Sequence, residues 1–179
     1  MDLPEILNWI KKAQKGDKDA FGHIYKHFLK KIYRYIYFSV HSKEVAEDLT
    51  QTTFLKAWRS LATFSPSGGT LQAYLFAIAR NAIIDYYRRK KEVLGKELGE
   101  HISESTWANP EELFAKDETA SSVWQAIKRL EEIEKNVIIM RYFEELDYAE
   151  IARIISKQEG AVRVMIYRIL KKLKIFLED

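Results

Sequence analysis

The chain has 179 residues, of which 47% are hydrophobic and 13% aromatic, and a net charge of +3. This composition supports folded cores and excludes global disorder, and the lack of cysteine excludes disulfides, thiolate zinc sites and cysteine nucleophiles. Only seven glycines and three prolines occur among many helix-forming residues, so an all-α fold is expected.

Neither a signal peptide nor a membrane span is expected. The first residues are acidic, and no segment approaches the roughly 20 apolar residues that a membrane-spanning helix needs. The chain is therefore expected to be soluble and cytoplasmic, without stable membrane insertion.

Four helices are expected in the first half of the chain. Asp17 and Ser42 are suited to cap the second and third helices, and residues 64–69 form a loop rich in Ser, Pro and Gly. The helices are predicted over residues 3–15, 18–40, 42–61 and 70–91. Helices of this length can enclose one core, so residues 1–92 are predicted to form a four-helix domain.

Residues 93–118 are predicted to be an acidic, flexible linker. The segment has no sustained hydrophobic period, and residues 93–119 carry seven acids against two lysines, a net charge of −5. Residues 119–179 are predicted to form a second small helical domain. Because the linker offers little to pack, the two domains are expected to move relative to each other when the protein is free.

The last two helices are spaced like a helix-turn-helix. A turn at residues 156–158 joins a helix capped by Asp147 to a final helix over residues 159–177. The inner face of the final helix contains Val162, Ile166, Ile169, Leu170 and Leu173. Its outward arc contains Gly160, Arg163, Val164, Tyr167, Arg168 and Lys171. Such an arc suits the phosphates and guanine edges of a DNA major groove; the alternative is a plain helical hairpin with a solvated basic face.

The fourth helix presents aromatic and basic residues opposite its apolar stripe. Phe76, Arg80, Tyr87 and Arg88 lie on this side. Rings of this kind stack on single-stranded bases while the cations hold phosphates. The alternative is that Phe76 packs into the core and the basic end is solvated.

The third helix carries a polar strip that includes one apolar residue. The strip contains Asp48, Gln51, Thr52 and Leu55. It is either a docking face or plain surface.

No arrangement of side chains predicts catalysis. His23 and His27 stand one helical turn apart, but no Asp or Glu completes a metal-dependent hydrolytic motif around them. No glycine-rich phosphate loop is present, and Glu144 and Glu145 are expected at the surface. We therefore expect no enzyme activity, no metal site and no cofactor.

Three segments, in this order, resemble the extracytoplasmic-function (ECF) subfamily of bacterial RNA polymerase sigma factors. Residues 47–58 resemble the segment that binds core polymerase. Residues 71–81, with Asp85 and Arg88-Arg89, resemble the helix that melts promoters and reads the minus-ten element. Residues 141–152 and 159–162 resemble the domain that binds the minus-thirty-five element. The resemblance covers about residues 10–91 and 120–175.

This resemblance implies an alternative sigma factor that directs core RNA polymerase to promoters. It assigns polymerase binding to Asp48, Gln51, Thr52 and Leu55. It assigns binding of minus-ten DNA to Ser67, Phe76, Arg80, Asn81, Tyr87 and Arg88. It assigns binding of minus-thirty-five DNA to Gly160, Arg163, Val164, Tyr167, Arg168 and Lys171. The implied partners are core RNA polymerase, promoter DNA as duplex and as melted strand, and an anti-sigma factor.

Several positions depart from the family pattern. Ser156 stands where a turn glycine is usual, at a position expected to need a positive φ. Val164-Met165 stand where a Ser-Arg pair is usual, which predicts weak or unusual minus-thirty-five recognition. Thr52 stands where an acid is usual, which predicts weaker docking.

Two other functions fit the same residues. A stand-alone helix-turn-helix regulator would bind DNA without polymerase, but it needs neither the strip on the third helix nor the aromatic and basic fourth helix. A sigma-like protein could instead use the outward Val164 in a partner-binding surface.

Overall fold

A computed structural model describes residues 3–94 and 118–178. The regular structure in these ranges is entirely helical, and it forms an N-terminal unit (residues 3–94) and a C-terminal unit (residues 118–178). The prediction of an all-α fold with two helical domains is confirmed. Most of the predicted linker lies outside the described residues, and the domain limits at residues 92 and 119 stay predictions.

The N-terminal unit consists of α1 (Leu3–Ala13), α2 (Lys18–Val40), α3 (Lys43–Ser60) and α4 (Leu71–Leu94). Two short 3-10 turns, Leu61–Thr63 and Pro66–Gly68, connect α3 to α4. The carboxylate of Asp17 accepts a hydrogen bond from the Ala20 N–H at 3.0 Å, and the hydroxyl of Ser42 accepts one from the Val45 N–H at 3.5 Å. The two helix caps predicted from the sequence are therefore present.

The core of the N-terminal unit lies between α2, α3 and α4. Along the first half of α2, buried residues recur every four positions at Ile24, Phe28 and Ile32, as expected for a helix with one core-facing side. On α3, Thr50 and Thr53 are buried and each donates its hydroxyl to the carbonyl four residues earlier. These threonines therefore enter the core without losing hydrogen bonds.

The second half of α2 is buried on every side. Residues 35–40 are six consecutive buried positions, and six consecutive helical residues point around the full circumference. The C-terminal unit covers the side of α2 that the N-terminal unit leaves open. The ring of Phe38 lies 4.5 Å from that of Trp124 and 6.0 Å from that of Phe143.

The C-terminal unit consists of α5 (Glu118–Lys128), α6 (Glu132–Ile138), α7 (Tyr148–Ile154) and α8 (Glu159–Glu178). After α6 the backbone widens into a π turn over Ile139–Phe143, closed by the Glu144 N–H donating to the Ile139 carbonyl at 3.1 Å. Asp147 and Glu150 exchange side-chain and backbone hydrogen bonds at the start of α7, which is a capping box. No helix among the described residues is long and apolar enough to cross a membrane.

The prediction that Glu144 lies at the surface is wrong. Its side chain is fully buried, and Oε1 accepts a hydrogen bond from Arg34 Nε at 2.7 Å. Burial raises the pKa of Glu144 above its ordinary value, and the hydrogen bond from Arg34 opposes this shift. The sequence places Glu144 just after a buried helix, where a carboxylate is normally solvated, but here the N-terminal unit covers it. The two units, expected to move independently, are thus in direct contact.

His41 lies at the end of α2, next to the C-terminal unit. Its φ of 52° is left-handed, and its N–H donates to the Tyr37 carbonyl at 2.9 Å. The charged groups around the half-buried imidazole are Lys128 on α5 and Glu132 and Lys135 on α6. Burial, reinforced by Lys135, lowers the pKa of His41 below its ordinary value.

Lowering the pH from 7.5 to 5.5 is expected to destabilise the protein, and His41→Asn is expected to reduce this loss. Because folding lowers the pKa of His41, the unfolded chain binds the proton more tightly, so the free energy of unfolding falls once the pH drops below about 6.5. Asparagine tolerates the left-handed backbone and does not titrate. Thermal unfolding of both proteins at the two pH values measures the difference. Two other groups leave a residual pH dependence that is the same in both proteins. Burial also lowers the pKa of His27, whereas it raises the pKa of Glu144, so protonation of Glu144 favours the folded state and opposes the loss. Equal losses in the two proteins would contradict the prediction.

Candidate docking and nucleic-acid interfaces

The four residues predicted to bind polymerase share one side of α3, here called the α3 strip. Asp48, Gln51 and Leu55 are exposed, Leu55 to 50%, and Thr52 is partly buried. Each helical residue turns the chain by about 100°, which keeps all four within one arc opposite the core. The α3 strip therefore presents one large apolar side chain among polar ones.

An apolar groove of about 380 Å³ opens beside the α3 strip. Gln51 and Leu55 line it, together with Phe21 of α2 and Trp58 of α3, whose ring centroids lie 4.9 Å apart. The sequence pattern does not reveal this groove, because its walls come from two helices. The only sequence signal was the helical spacing of Phe21 in the apolar stripe of α2. The groove therefore adds exposed apolar surface to the side of α3 that carries the α3 strip.

The residues predicted to bind minus-ten DNA fall into two groups, polar residues that are accessible and aromatic residues that contact α2. Ser67 lies in an exposed turn, where its hydroxyl oxygen is 2.8 Å from that of Ser65. On α4, Asn81 and Arg88 are exposed and Arg80 is partly buried. These polar residues are placed where a nucleic acid can reach them.

The two aromatic residues predicted for the minus-ten site both contact α2. Phe76 is fully buried, with its ring centroid 5.0 Å from that of Tyr35. The alternative that Phe76 packs into the core therefore holds, and the prediction of an exposed stacking ring at this position is wrong in this conformation. Tyr87 is partly buried and donates its hydroxyl to the Ser39 carbonyl at 2.6 Å, and burial raises its pKa.

The turn between α7 and α8 has the predicted conformation. Ser156 has a φ of 55°, a left-handed conformation in which serine is more strained than glycine. Four of the predicted inner residues of α8, Val162, Ile166, Ile169 and Leu173, are buried. The fifth, Leu170, is 43% exposed, which corrects the prediction; it follows Ile169 by about 100° around the helix and so lies at the edge of the buried side.

All six residues predicted to bind minus-thirty-five DNA are exposed on the outer side of α8, here called the α8 face. They are Gly160, Arg163, Val164, Tyr167, Arg168 and Lys171. Arg163 pairs with Glu159 at 2.5 Å and lies over the Tyr148 ring at 4.3 Å, whereas Lys171 lies over the Tyr167 ring at 4.7 Å. The α8 face thus combines cations that suit phosphates with two exposed apolar groups, Val164 and Tyr167.

Known proteins match this chain along almost its full length. The family models for Sigma-70 region 2 and Sigma-70 region 4 match residues 24–93 and 120–173. The ECF RNA polymerase sigma factor BldN of Streptomyces coelicolor is 33% identical over 99% of this chain and 68% of its own length. The ECF RNA polymerase sigma factor SigW of Bacillus subtilis is 31% identical over 97% of each chain.

Solved structures of low sequence identity share the fold. CnrH, in complex with the cytosolic domain of CnrY, aligns with a TM-score of 0.71 at 21% identity over 95% of each chain. The sigma factor RpoE, in complex with the anti-sigma factor NepR from Bartonella quintana, aligns with a TM-score of 0.67 at 20% identity, over 88% of this chain and 96% of its own. At such identities the likeness supports the fold alone.

The matched regions and the two helical units define the class as RNA polymerase sigma factors. Within that class, the chain belongs to the ECF family. It is a polymerase-associated alternative sigma factor that acts in transcription initiation. The alternative of a stand-alone helix-turn-helix regulator is therefore wrong.

Proposed function

We propose that the α3 strip docks this sigma factor on core RNA polymerase, that α4 holds the melted minus-ten strand, and that the α8 face binds the minus-thirty-five duplex. The observation that carries the proposal is the exposure of Leu55, to 50%, beside an apolar groove. A groove of this kind next to polar groups is typical of an interaction site.

The docking role of the α3 strip follows from the chemistry of its residues. Leu55 and the groove remove apolar area from water when a partner side chain enters. Asp48 and Gln51 supply a charge and hydrogen bonds at the edge of this contact, and Thr52 adds a hydroxyl beside them. A buried apolar anchor with a polar rim is the usual composition of a specific protein interface.

The role of α4 depends on its accessible polar residues. Arg80 and Arg88 suit the phosphates of a single strand, and Asn81 suits the edge of an unpaired base. Ser67 adds a hydroxyl from the preceding turn. Tyr87 joins this surface when its hydroxyl leaves Ser39. Binding the unpaired bases offsets the cost of extruding them, a few kcal/mol per base.

The α8 face suits the major groove of the minus-thirty-five duplex. Arg168 and Lys171 supply cations for phosphates, and Arg163 does so when it leaves Glu159. The methyl groups of Val164 suit the thymine methyl. Because Val164 cannot donate a hydrogen bond to a base, the proposed readout at this position is apolar.

This function requires no bond chemistry from the sigma factor itself, because the polymerase supplies the active site. We therefore infer that it is a binding protein and not an enzyme, and that it works in the cytoplasm, where polymerase and DNA are found. An anti-sigma factor is a further proposed partner, since two structures of similar fold are complexes with CnrY and with NepR.

Replacing Asp48 with Arg is expected to abolish co-elution with bacterial core RNA polymerase, because the substitution reverses the charge at the rim of the docking face. The matched control is Glu5→Arg, which makes the same charge reversal at an exposed position on α1, outside residues 47–58, and is expected to leave co-elution unchanged. Size-exclusion chromatography of each protein mixed with core polymerase measures the complex. If both variants bind core polymerase as the wild type does, the α3 strip is not the docking face.

A further inference from the structure

The side chain of Tyr148 connects the π turn, α7 and α8. The residue is the first of α7, directly after the cap residue Asp147, and its ring packs partly buried against the hydrophobic core. Arg141 of the π turn and Arg163 of α8 both lie over this ring, with 4.7 Å and 4.3 Å between the guanidinium carbon and the ring centroid. One aromatic ring therefore contacts two cations that come from different elements.

Two contacts fix the position of the Tyr148 ring. The capping box at the start of α7 fixes the backbone of this residue. Arg141, which contacts the ring, is itself held in place, because its Nη1 donates a hydrogen bond to the Leu146 carbonyl at 2.9 Å. The ring is therefore a fixed support for the second cation, Arg163.

Arg163 uses two different parts of its guanidinium group. Its Nε and Nη2 donate along one edge to Glu159 Oε1, at 3.2 Å and 2.5 Å, whereas its central carbon lies over the Tyr148 ring. A phosphate that replaces Glu159 accepts hydrogen bonds from the same edge. The exchange of a carboxylate for a phosphate therefore leaves the contact with the ring unchanged.

The contact with the ring restricts the Arg163 side chain before DNA is bound. This side chain is 58% exposed, and a long exposed side chain loses conformational freedom when a complex forms. Because the ring already limits the positions of the guanidinium group, binding restricts Arg163 less than it would restrict a free arginine. Arg163 therefore meets DNA in an orientation that the protein has set.

We propose that Tyr148 is a positioning residue for minus-thirty-five binding: its ring holds Arg163 where the guanidinium group exchanges Glu159 for a phosphate of the promoter duplex. The inference rests on the proposed function of the α8 face, and it adds a residue of α7 that lies outside that face. The contact is made to a phosphate, because the first helix of a helix-turn-helix crosses the DNA backbone and Arg163 lies against the first residue of that helix. The ring of Tyr148, and not its hydroxyl, has this role.

The chemical shift of the Arg163 Nε proton tests the contact in the free protein. An aromatic ring shifts the resonances of protons over its face upfield, and Tyr148→Leu removes the ring but keeps an apolar side chain. We expect the Arg163 signal, assigned by its absence in Arg163→Gln, to lie upfield in the wild type and in Tyr148→Phe, and to move downfield in Tyr148→Leu. Tyr142→Leu makes the same change at a ring that is 51% exposed, and this control is expected to leave the signal unchanged. A signal that does not depend on Tyr148 overturns the proposal.

The second measurement is the affinity of the sigma factor, bound to core polymerase, for duplexes that the wild-type complex selects from genomic DNA. Fluorescence anisotropy is recorded over a range of salt concentrations. Tyr148→Leu is expected to weaken binding about threefold to tenfold and to lower the slope of log affinity against log salt by about one, because Arg163 then binds its phosphate less often. Tyr148→Phe keeps the ring and is expected to bind as the wild type does. In the Arg163→Gln background, Tyr148→Leu is expected to have no further effect.

The outcomes separate this inference from the function proposed for the α8 face. If Arg163→Gln binds DNA as the wild type does, the function proposed for Arg163 fails, and the positioning role fails with it. If Arg163→Gln weakens binding and Tyr148→Leu does not, only the positioning role fails. Equal losses in Tyr148→Phe and Tyr148→Leu, or a loss in Tyr148→Leu that persists in the Arg163→Gln background, mean that Tyr148 contacts DNA itself, which also overturns the proposal. If Tyr148→Leu does not fold, as judged by circular dichroism, Tyr148→Met replaces it in both measurements with the same expected results.

Discussion

Replacing Val164 with Arg is expected to tighten the binding of promoter duplex by roughly 5- to 150-fold, which corresponds to about 1–3 kcal/mol. Val164 is 50% exposed at the centre of the α8 face, and a guanidinium there can donate two hydrogen bonds to a guanine edge or neutralise a phosphate. The measurement is fluorescence anisotropy with the sigma factor bound to core polymerase, using duplexes that the wild-type complex selects from genomic DNA.

The control for this substitution is Ile175→Arg, which adds the same charge at a 57% exposed position three turns further along α8. It is expected to change the affinity much less, because Ile175 lies about 16 Å further along the helix axis, beyond Lys171, the last residue of the α8 face. Equal gains in the two variants would mean that added charge alone is responsible. If Val164→Arg leaves DNA binding unchanged but prevents binding of an anti-sigma protein, the outer side of α8 serves a protein partner at this position.

Replacing Trp124 with Ala is expected to lower the free energy of unfolding by about 3–5 kcal/mol, the range for large-to-small changes in a core. Trp124 is 2% exposed, and its ring packs against those of Phe38 and Phe143. The substitution therefore removes an indole ring that both units share. For a chain of this size, the melting temperature is expected to fall by on the order of 10 °C.

Calorimetry of the Trp124 variant also reports how far the two units unfold together. With the units docked, the whole transition is expected to move to a lower temperature. Tyr142→Ala, which truncates a neighbouring ring that is 51% exposed, is the control and is expected to have an effect within about 0.5 kcal/mol. A loss of similar size in both variants would contradict the packing described for Trp124.

Local signals were sufficient to predict most of the helices. The caps at Asp17, Ser42 and Asp147 are fixed by the hydrogen-bonding capacity of short polar side chains. The positive φ of Ser156 followed from the geometry of a tight turn between two helices. Each of these features depends on residues close together in the chain, which is why they could be predicted.

Features that depend on contacts between distant segments could not be predicted. Phe76 lies on the side of α4 that a helical projection assigns to solvent, yet its ring is buried against Tyr35 of α2. Glu144 is a charged residue in a polar segment, and only the position of Arg34, far away in the sequence, allows it to be buried. The groove beside Leu55 requires two helices to be placed together. The residues that share the α3 strip, and those that share the α8 face, could be predicted because each set lies on one side of a single helix.

Because residues 35–40 at the end of α2 are all buried, the solubility of the protein depends on the contact between α2 and the C-terminal unit. When the C-terminal unit leaves α2, Phe38 loses the cover of Trp124 and Phe143, and three large aromatic side chains enter water together. Exposed patches of this kind promote self-association. A molecule whose two units separate without a partner is therefore expected to aggregate more readily than one in which they stay in contact.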